Sequence, residues 1–152
     1  MLKAWSFALT HGADRIVQMD AGGSHIAIES LSLLANGSQL VIGSRFLPDS
    51  RYYGRPWRAL MSRAASFACS AKAGCRLTDW TSGFRAFTSD AIAYLLNFCD
   101  YKARMHGWQI EVLGKAIRSG MSIAEMPITY RAGESSFDLS VAREAFRAWR
   151  RL

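Results

Sequence analysis

Arg15-Ile-Val-Gln-Met-Asp-Ala-Gly-Gly-Ser-His25 is the stretch that sets the fold class. Residues 15–19 are a short apolar run bounded by turn residues and read as a buried strand. Residues 20–25 then form a glycine-rich loop, and a helical stretch follows over 26–35, closed by Asn36-Gly37. The same order continues outward. Gln39-Leu-Val-Ile-Gly43 reads as a second buried strand ending at Ser44-Arg45, residues 48–54 as a loop, and Pro56 as the opening of a long amphipathic helix over 57–72. Upstream, residues 2–11 read as a short helix stopped by Gly12. Downstream, helices are expected over 89–99 and 108–118, the latter ended by Gly120. Residues 122–130 read as an edge or terminal strand, because Pro127 has no N–H for a central ladder. Asp138 is placed to cap a last helix running to Leu152. Strands alternating with helices define an α/β domain whose sheet is mostly parallel and flanked by helices.

The 152 residues are 50% hydrophobic and 20% charged, with mean hydropathy near zero, which is the composition of one globular domain over residues 1–152. No apolar run approaches the ~18 residues of a bilayer crossing, and the N-terminus has no signal-peptide pattern. Three cysteines without C-x-x-C spacing argue against a disulfide framework or zinc site and for a reducing, cytoplasmic setting. Nineteen Lys and Arg against twelve Asp and Glu give +7, a bias toward anionic partners such as lipid headgroups or phosphorylated molecules. The basic residues do not cluster around a nucleic-acid reader motif, so no nucleic-acid partner is expected.

Several polar residues stand where an α/β sheet gathers ligands, at the carboxyl ends of strands. Asp20 suits a divalent metal holding a diphosphate, or else caps the following helix. Arg45 ends the second strand and has the planar fork that suits phosphate, or an ordinary salt bridge. Arg58 and Ser62, four apart on a helix, share a face that can clamp an anion or simply face water. Asp79-Trp-Thr-Ser-Gly-Phe-Arg85 reads as a loop delivering polar groups to a site, with Trp80 either a stacking surface or a core anchor. Gln109 and Glu111 sit in an otherwise apolar helix, where a carboxylate can act as a base or orient an arginine. His11, His25 and His106 are scattered and form no zinc motif. There is no P-loop and no G-x-G-x-x-G.

Taken in order, Gln18-Met-Asp-Ala-Gly-Gly-Ser-His25, Leu40-Val-Ile-Gly-Ser-Arg-Phe46, Trp57-Arg-Ala-Leu-Met-Ser-Arg63, Asp79-Trp-Thr-Ser-Gly-Phe-Arg85, Gly107-Trp-Gln-Ile-Glu111, Ile123-Ala-Glu-Met-Pro-Ile128 and Arg131-Ala-Gly-Glu-Ser-Ser136 resemble the family-2 glycosyltransferases of the dolichol-phosphate (polyprenyl-phosphate) mannosyltransferase type. The resemblance implies a partial GT-A, Rossmann-like, nucleotide-diphospho-sugar transferase fold. It also implies a metal-dependent, inverting hexosyltransferase that moves mannose or glucose from GDP-mannose or UDP-glucose to a polyprenyl phosphate. By resemblance Asp20 is the Mg²⁺ or Mn²⁺ residue and, with Arg45 and Arg131, a catalytic residue. Arg45, Arg58 and Ser62 would grip the acceptor phosphate, and Asp79, Ser82, Arg85, Gln109 and Glu111 would line the substrate pocket.

The chain departs from that pattern in three places. Gly22 replaces the second acidic residue of Asp-x-Asp, leaving Asp79, Glu111 or solvent to fill the gap. Ser136 replaces a lysine. The resemblance starts part-way into such proteins, without the opening strand that cradles the nucleotide base, so the 15–19 strand is expected to keep an unpaired edge. These departures support an alternative: an inactive truncated remnant, or a split-enzyme partner binding anionic lipid or another chain. Residues 138–152 read as a basic amphipathic helix, with Arg143, Arg147, Arg150 and Arg151 opposite Val141, Ala145, Phe146 and Trp149. That helix either touches the cytoplasmic face of a membrane or packs on the core with an arginine face in water.

Overall fold

The computed structural model describes residues 1–102, 107–133 and 139–152. Helix α1 (Leu2–Thr10) ends at Gly12 with a left-handed φ of +74° and leads into β1 (Arg15–Gln18). A short 3-10 turn (Ala27–Glu29) and α2 (Ser30–Ala35) follow. Then come β2 (Leu40–Ser44), β3 (Arg51–Tyr53), α3 (Pro56–Ala73), β4 (Arg85–Thr88) and α4 (Ser89–Phe98). The order closes with α5 (Gly107–Arg118), β5 (Ile123–Pro127), β6 (Thr129–Arg131) and α6 (Leu139–Arg150). Among the described residues no helix is long and apolar enough to cross a membrane.

The main sheet runs β1-β4-β2-β5, and β3 pairs with β6 in a second, two-stranded sheet. β2 and β5 are parallel, but β4 runs against both β1 and β2. The mostly parallel sheet expected from the sequence is therefore mixed: three of the four strands share a direction, yet β4 inserts between two of them. Its physical origin is the 79–88 segment, of which residues 79–85 read as a loop and no strand was expected. Its first part is a loop, but Arg85–Thr88 is a central strand, paired on both sides. Two further corrections concern the small sheet. Residues 51–53 form β3 inside the expected 48–54 loop, and the expected 122–130 strand breaks at Ile128 into β5 and β6. β1 is the edge strand expected and pairs only with β4 among the described residues.

Alternation along β2 and β4 divides the core. Leu40, Ile42 and Phe87 face a large cluster with Trp5, Trp80, Ile92, Leu95, Ile110 and Leu113, all essentially buried. Val41 and Ala86 face a smaller one with Leu33, Phe84 and Ile128. Thr88 accepts the Ala91 N–H and so caps α4 directly after β4. On α3, Pro56 occupies the first turn and Gly74, at φ +67°, ends the helix. The guanidinium of Arg15 reaches the backbone carbonyls of Leu34, Asn36 and Ser38, a cation at the C-terminal end of α2.

Helix α6 packs on the core. Ala148 is buried, the Trp149 indole donates to the Ala68 carbonyl at 3.1 Å, and the Lys72 ammonium reaches the Arg150 carbonyl at 2.9 Å. Arg143, Arg147, Arg150 and Arg151 are exposed. The expected cap Asp138, together with Ser136 and His106, lies outside the described residues.

Candidate active site

Two groups of residues meet at the carboxyl ends of β1 and β2. The first is built on the loop after β1. The Asp20 carboxylate is half exposed and lies 3.6 Å from Nε2 of His25, beyond hydrogen-bond distance. It rests on Gly83, where an added Cβ would stand 2.7 Å from Asp20 Oδ1. The loop is held by β6: the Arg131 N–H donates to the Ser24 carbonyl at 2.8 Å, and His25 bridges to Tyr130. Gly23, at φ +71°, makes the turn that brings His25 inward. The His25 ring is buried between Phe84 and Tyr130, with centroids at 4.9 and 5.1 Å, and neither ring nitrogen has a hydrogen-bond partner.

The second group surrounds Arg45 just past β2. Its guanidinium forks onto buried Asp79, Nε to Oδ2 at 2.7 Å and Nη2 to Oδ1 at 2.8 Å, while its own N–H donates to the same carboxylate at 3.0 Å. Burial works to lower the Arg45 pKa, but the Asp79 charge and hydrogen bonds outweigh it and the net direction is up. The guanidinium also lies 5.1 Å over the Tyr130 ring and 5.2 Å over Phe46. Tyr52 stacks on Tyr130 at 5.6 Å. Burial raises the Tyr52 phenol, and the Arg45 charge opposes that rise. Tyr130 thus has the histidine of one group at its edge and the arginine of the other over its ring.

Arg45, Arg58 and Ser62 line one cavity of about 480 Å³ together with Tyr52, Thr81 and Tyr130. The cavity continues between α3 and α6 along Met61, Ala65, Ala68, Ala145, Phe146 and Trp149, so a cationic mouth opens into an apolar trough. The i, i+4 spacing of Arg58 and Ser62 on α3 puts both on this wall. Cys69 lines the trough as well, and burial pushes its thiol up to about 11.

The other residues singled out in the sequence sit elsewhere. Ser82 is buried and donates to the Gly43 carbonyl at 2.6 Å, where β2 ends. Arg85 is 1% exposed, and its three nitrogens donate to the carbonyls of Ser82, Gln109 and Trp80 at 2.9–3.0 Å. Burial lowers its pKa to about 10, with Asp79 opposing. Trp80 is a core anchor: it is fully buried and its indole donates to Ser70 Oγ at 2.8 Å. Gln109 gives Arg85 its carbonyl, while its own side-chain oxygen is buried without a partner. Glu111 faces a separate cavity of about 220 Å³ with Lys102, Lys115 and Arg151, so neither it nor Asp79 joins Asp20. Arg131 is exposed, with its guanidinium 5.8 Å from the Tyr53 ring centroid.

Two positioning residues escaped the sequence reading. Glu125 on β5 accepts the N–H groups of Thr78 and Asp79 at 2.8–3.0 Å, fixing the loop that presents Asp79 to Arg45. Glu29 accepts the Thr129 N–H at 3.0 Å and so sets the start of β6. Each carboxylate lies far in sequence from the backbone it holds, so spacing gave no signal. His25 was seen in sequence but had no partner at metal-ligand spacing.

Among the described residues, no three His, Cys, Asp or Glu side chains are grouped to hold an ion. Asp20 with His25 is nevertheless a pair of adjacent O and N donors, one of them a buried imidazole with no other partner. That pair fits a divalent cation whose remaining positions are filled by diphosphate oxygens or water.

The chain is 35% identical to a polyprenol monophosphomannose synthase of Mycolicibacterium smegmatis over a 153-residue alignment, which covers 95% of the chain and 57% of that protein. It is 31% identical to an undecaprenyl-phosphate mannosyltransferase of Micrococcus luteus over 150 residues, covering 95% and 61%. The chain therefore spans about three-fifths of the length of these curated relatives. No protein-family profile matches it. Among solved structures, glucosyl-3-phosphoglycerate synthase from Mycobacterium tuberculosis with Mn²⁺, UDP and phosphoglyceric acid superposes with a TM-score of 0.60 at 19% identity, over 95% of this chain and 50% of that one. The same enzyme with UDP gives 0.58 at 19% identity, over 96% and 53%. These superpositions establish a GT-A fold, and over nearly its whole length the chain is similar in sequence to polyprenyl-phosphate mannosyltransferases.

Proposed function

We propose that this chain forms the acceptor side of a hexosyltransferase that moves mannose or glucose from GDP-mannose or UDP-glucose to a polyprenyl phosphate. The observation that carries this reading is the two-part cavity, with Arg45, Arg58 and Ser62 at its mouth and an apolar trough between α3 and α6 behind them. A phosphate needs charge-assisted donors, and a polyprenyl chain needs apolar surface. A free sugar phosphate would use only the mouth.

In this reading Arg58 and Ser62 hold the acceptor phosphate, and Arg45 contributes as a guanidinium oriented by Asp79. An acceptor phosphate oxygen attacks the anomeric carbon in line. The new C–O bond forms as the bond to the diphosphate breaks, and the nucleoside diphosphate leaves with that electron pair. The nucleophile is already anionic, so no protein group has to remove a proton. The chain's contributions are orientation of the phosphate and a cationic field along the reaction line, with Arg131 on the diphosphate side. A divalent metal bound at Asp20 would supply neutralisation of the leaving diphosphate.

Titration of farnesyl phosphate into the chain tests the clamp. Arg58→Ala combined with Ser62→Ala is expected to weaken binding about 10- to 100-fold, the scale of losing hydrogen bonds to a charged group. Affinity in the wild type should rise as the isoprenoid is lengthened. Unchanged affinity in the double variant would remove the clamp assignment.

The same reading puts the chain at the cytoplasmic face of a membrane. The α6 arginines are exposed, and so are Trp57, Leu60 and Phe67 on α3 and Phe146 at the cavity rim. Cosedimentation with anionic vesicles should be strong at low salt and fall in Arg143→Glu with Arg147→Glu. Equal binding to neutral vesicles would contradict it. A second reading is favoured by the edge of β1, which is unpaired among the described residues, and in it a partner chain pairs there. Turnover that needs an added polypeptide would select it, and turnover by the chain alone would exclude it.

A further inference from the structure

We infer that His25 takes the place of the acidic residue lost at Gly22, so that the metal position is an Asp20–His25 pair selective for Mn²⁺-type cations over Mg²⁺. This rests on the metal-dependent transfer proposed above and names the donor set of that site.

The inference starts from an imbalance in the core. His25 is 8% exposed, yet both of its ring nitrogens lack a hydrogen-bond partner. A buried imidazole in that state loses the solvation of two polar atoms and gains nothing in exchange. The ring has a fixed place, with Phe84 on one side and Tyr130 on the other. Its Nε2 is 3.6 Å from Asp20 Oδ2, too long for a hydrogen bond, but the two atoms are close enough to share one cation. The loop is built to keep them together: the Gly23 turn, the Arg131–Ser24 backbone bond and the His25–Tyr130 bridge all act within six residues. Asp79 is committed to Arg45 and Glu111 lies on another cavity, so neither competes for this role.

Selectivity follows from the donor set. Mg²⁺ requires near-octahedral oxygen and sheds water reluctantly, whereas imidazole suits the later divalent metals. Gly22 supplies a control within the same loop. Nothing lies within 4 Å of the position its Cβ would take, and its φ is outside the left-handed range, so Gly22→Asp adds a second carboxylate without a clash.

The experiment follows Mn²⁺ binding to the full chain by electron paramagnetic resonance, with GDP or UDP present and without sugar transfer. Thermal unfolding of each variant confirms its fold. The wild-type Mn²⁺ spin-echo signal is expected to carry nitrogen modulation that disappears in His25→Phe, which keeps an aromatic ring between Phe84 and Tyr130. Mn²⁺ affinity should fall about tenfold or more in that variant, the scale of losing one metal ligand or its support. Competition should show Mg²⁺ binding weakly to the wild type and more strongly to Gly22→Asp. Mn²⁺ binding that needs Asp20 but shows no nitrogen modulation and is unchanged in His25→Phe overturns the histidine assignment and leaves the transferase reading standing. No Mn²⁺ binding with either nucleotide overturns both, and the spin-echo signal is read on the wild type, so the result does not depend on any variant folding.

Discussion

Replacing Asp79 with alanine is expected to remove about 3–5 kcal/mol of stability, the scale of breaking one half of a buried ion pair. Asp79 has no exposed surface, and the Arg45 side chain is 10% exposed. Its carboxylate accepts both arms of the Arg45 fork, the Arg45 N–H and the Thr81 N–H. Alanine would leave the guanidinium against Phe46 and Tyr130 with its charge uncompensated. Asp79→Asn keeps the volume and one acceptor oxygen, so it should lose less. Urea unfolding of Asp79→Ala, Arg45→Ala and the double variant gives the coupling directly. We expect the double variant to be more stable than the sum of the singles by about 1–3 kcal/mol. Additivity would mean that Asp79 does not orient Arg45, and the positioning role assigned to it would fall.

The strand–loop–helix order around Asp20 and the apolar run of β2 were legible because both obey local rules: a short apolar run, then glycine, then a helical period. The long helix α3 was legible from Pro56 at its start and the helical period that follows, and the structure adds Gly74 as its left-handed stop. β4 was not. Its four residues follow Thr81, Ser82 and Gly83, and it opens with an arginine, so composition pointed to a loop. Arg85 can begin a central strand because three carbonyls close around it, two from the loop just before it and one, that of Gln109, from α5, a contact that no local pattern announces. The β3–β6 pair failed in the reading for a related reason. Strands of three residues with tyrosine and arginine have no period long enough to detect, and they exist because Glu29 and the Ile128 carbonyl hold their starts.

The candidate site shows the same division. Arg58 and Ser62 could be assigned to one face from helix geometry alone, and they do share a cavity wall. Arg45 could be placed at a strand end, but its lock on Asp79 could not be foreseen, because 34 residues separate them. The role of Tyr130 was hidden for the same reason. It stands one step along β6 from Arg131 and has the Asp20–His25 group on one side and Arg45 on the other. A single ring therefore sets the spacing between the candidate diphosphate end and the candidate acceptor end of the site.

Arg85 gives the second large effect, and it separates two roles that the sequence left undivided. Arg85→Ala removes the donors of three carbonyls, those of Trp80, Ser82 and Gln109, at about 1–3 kcal/mol for each buried acceptor left unmade. The expected loss is about 3–9 kcal/mol, a large share of the ~5–15 kcal/mol that holds an ordinary domain together. Arg85→Lys keeps the charge, but one ammonium cannot reach three carbonyls fixed around a planar fork, so it should recover only part of the loss. Arg85 is absent from the cavity wall, so variants that remain folded should bind farnesyl phosphate with wild-type affinity. Denaturation curves and the phosphate titration together decide the matter. A lower unfolding midpoint with unchanged affinity makes Arg85 the clasp that holds the 80–85 loop against α5. Lower affinity at unchanged stability would return it to the substrate pocket that its sequence motif suggested.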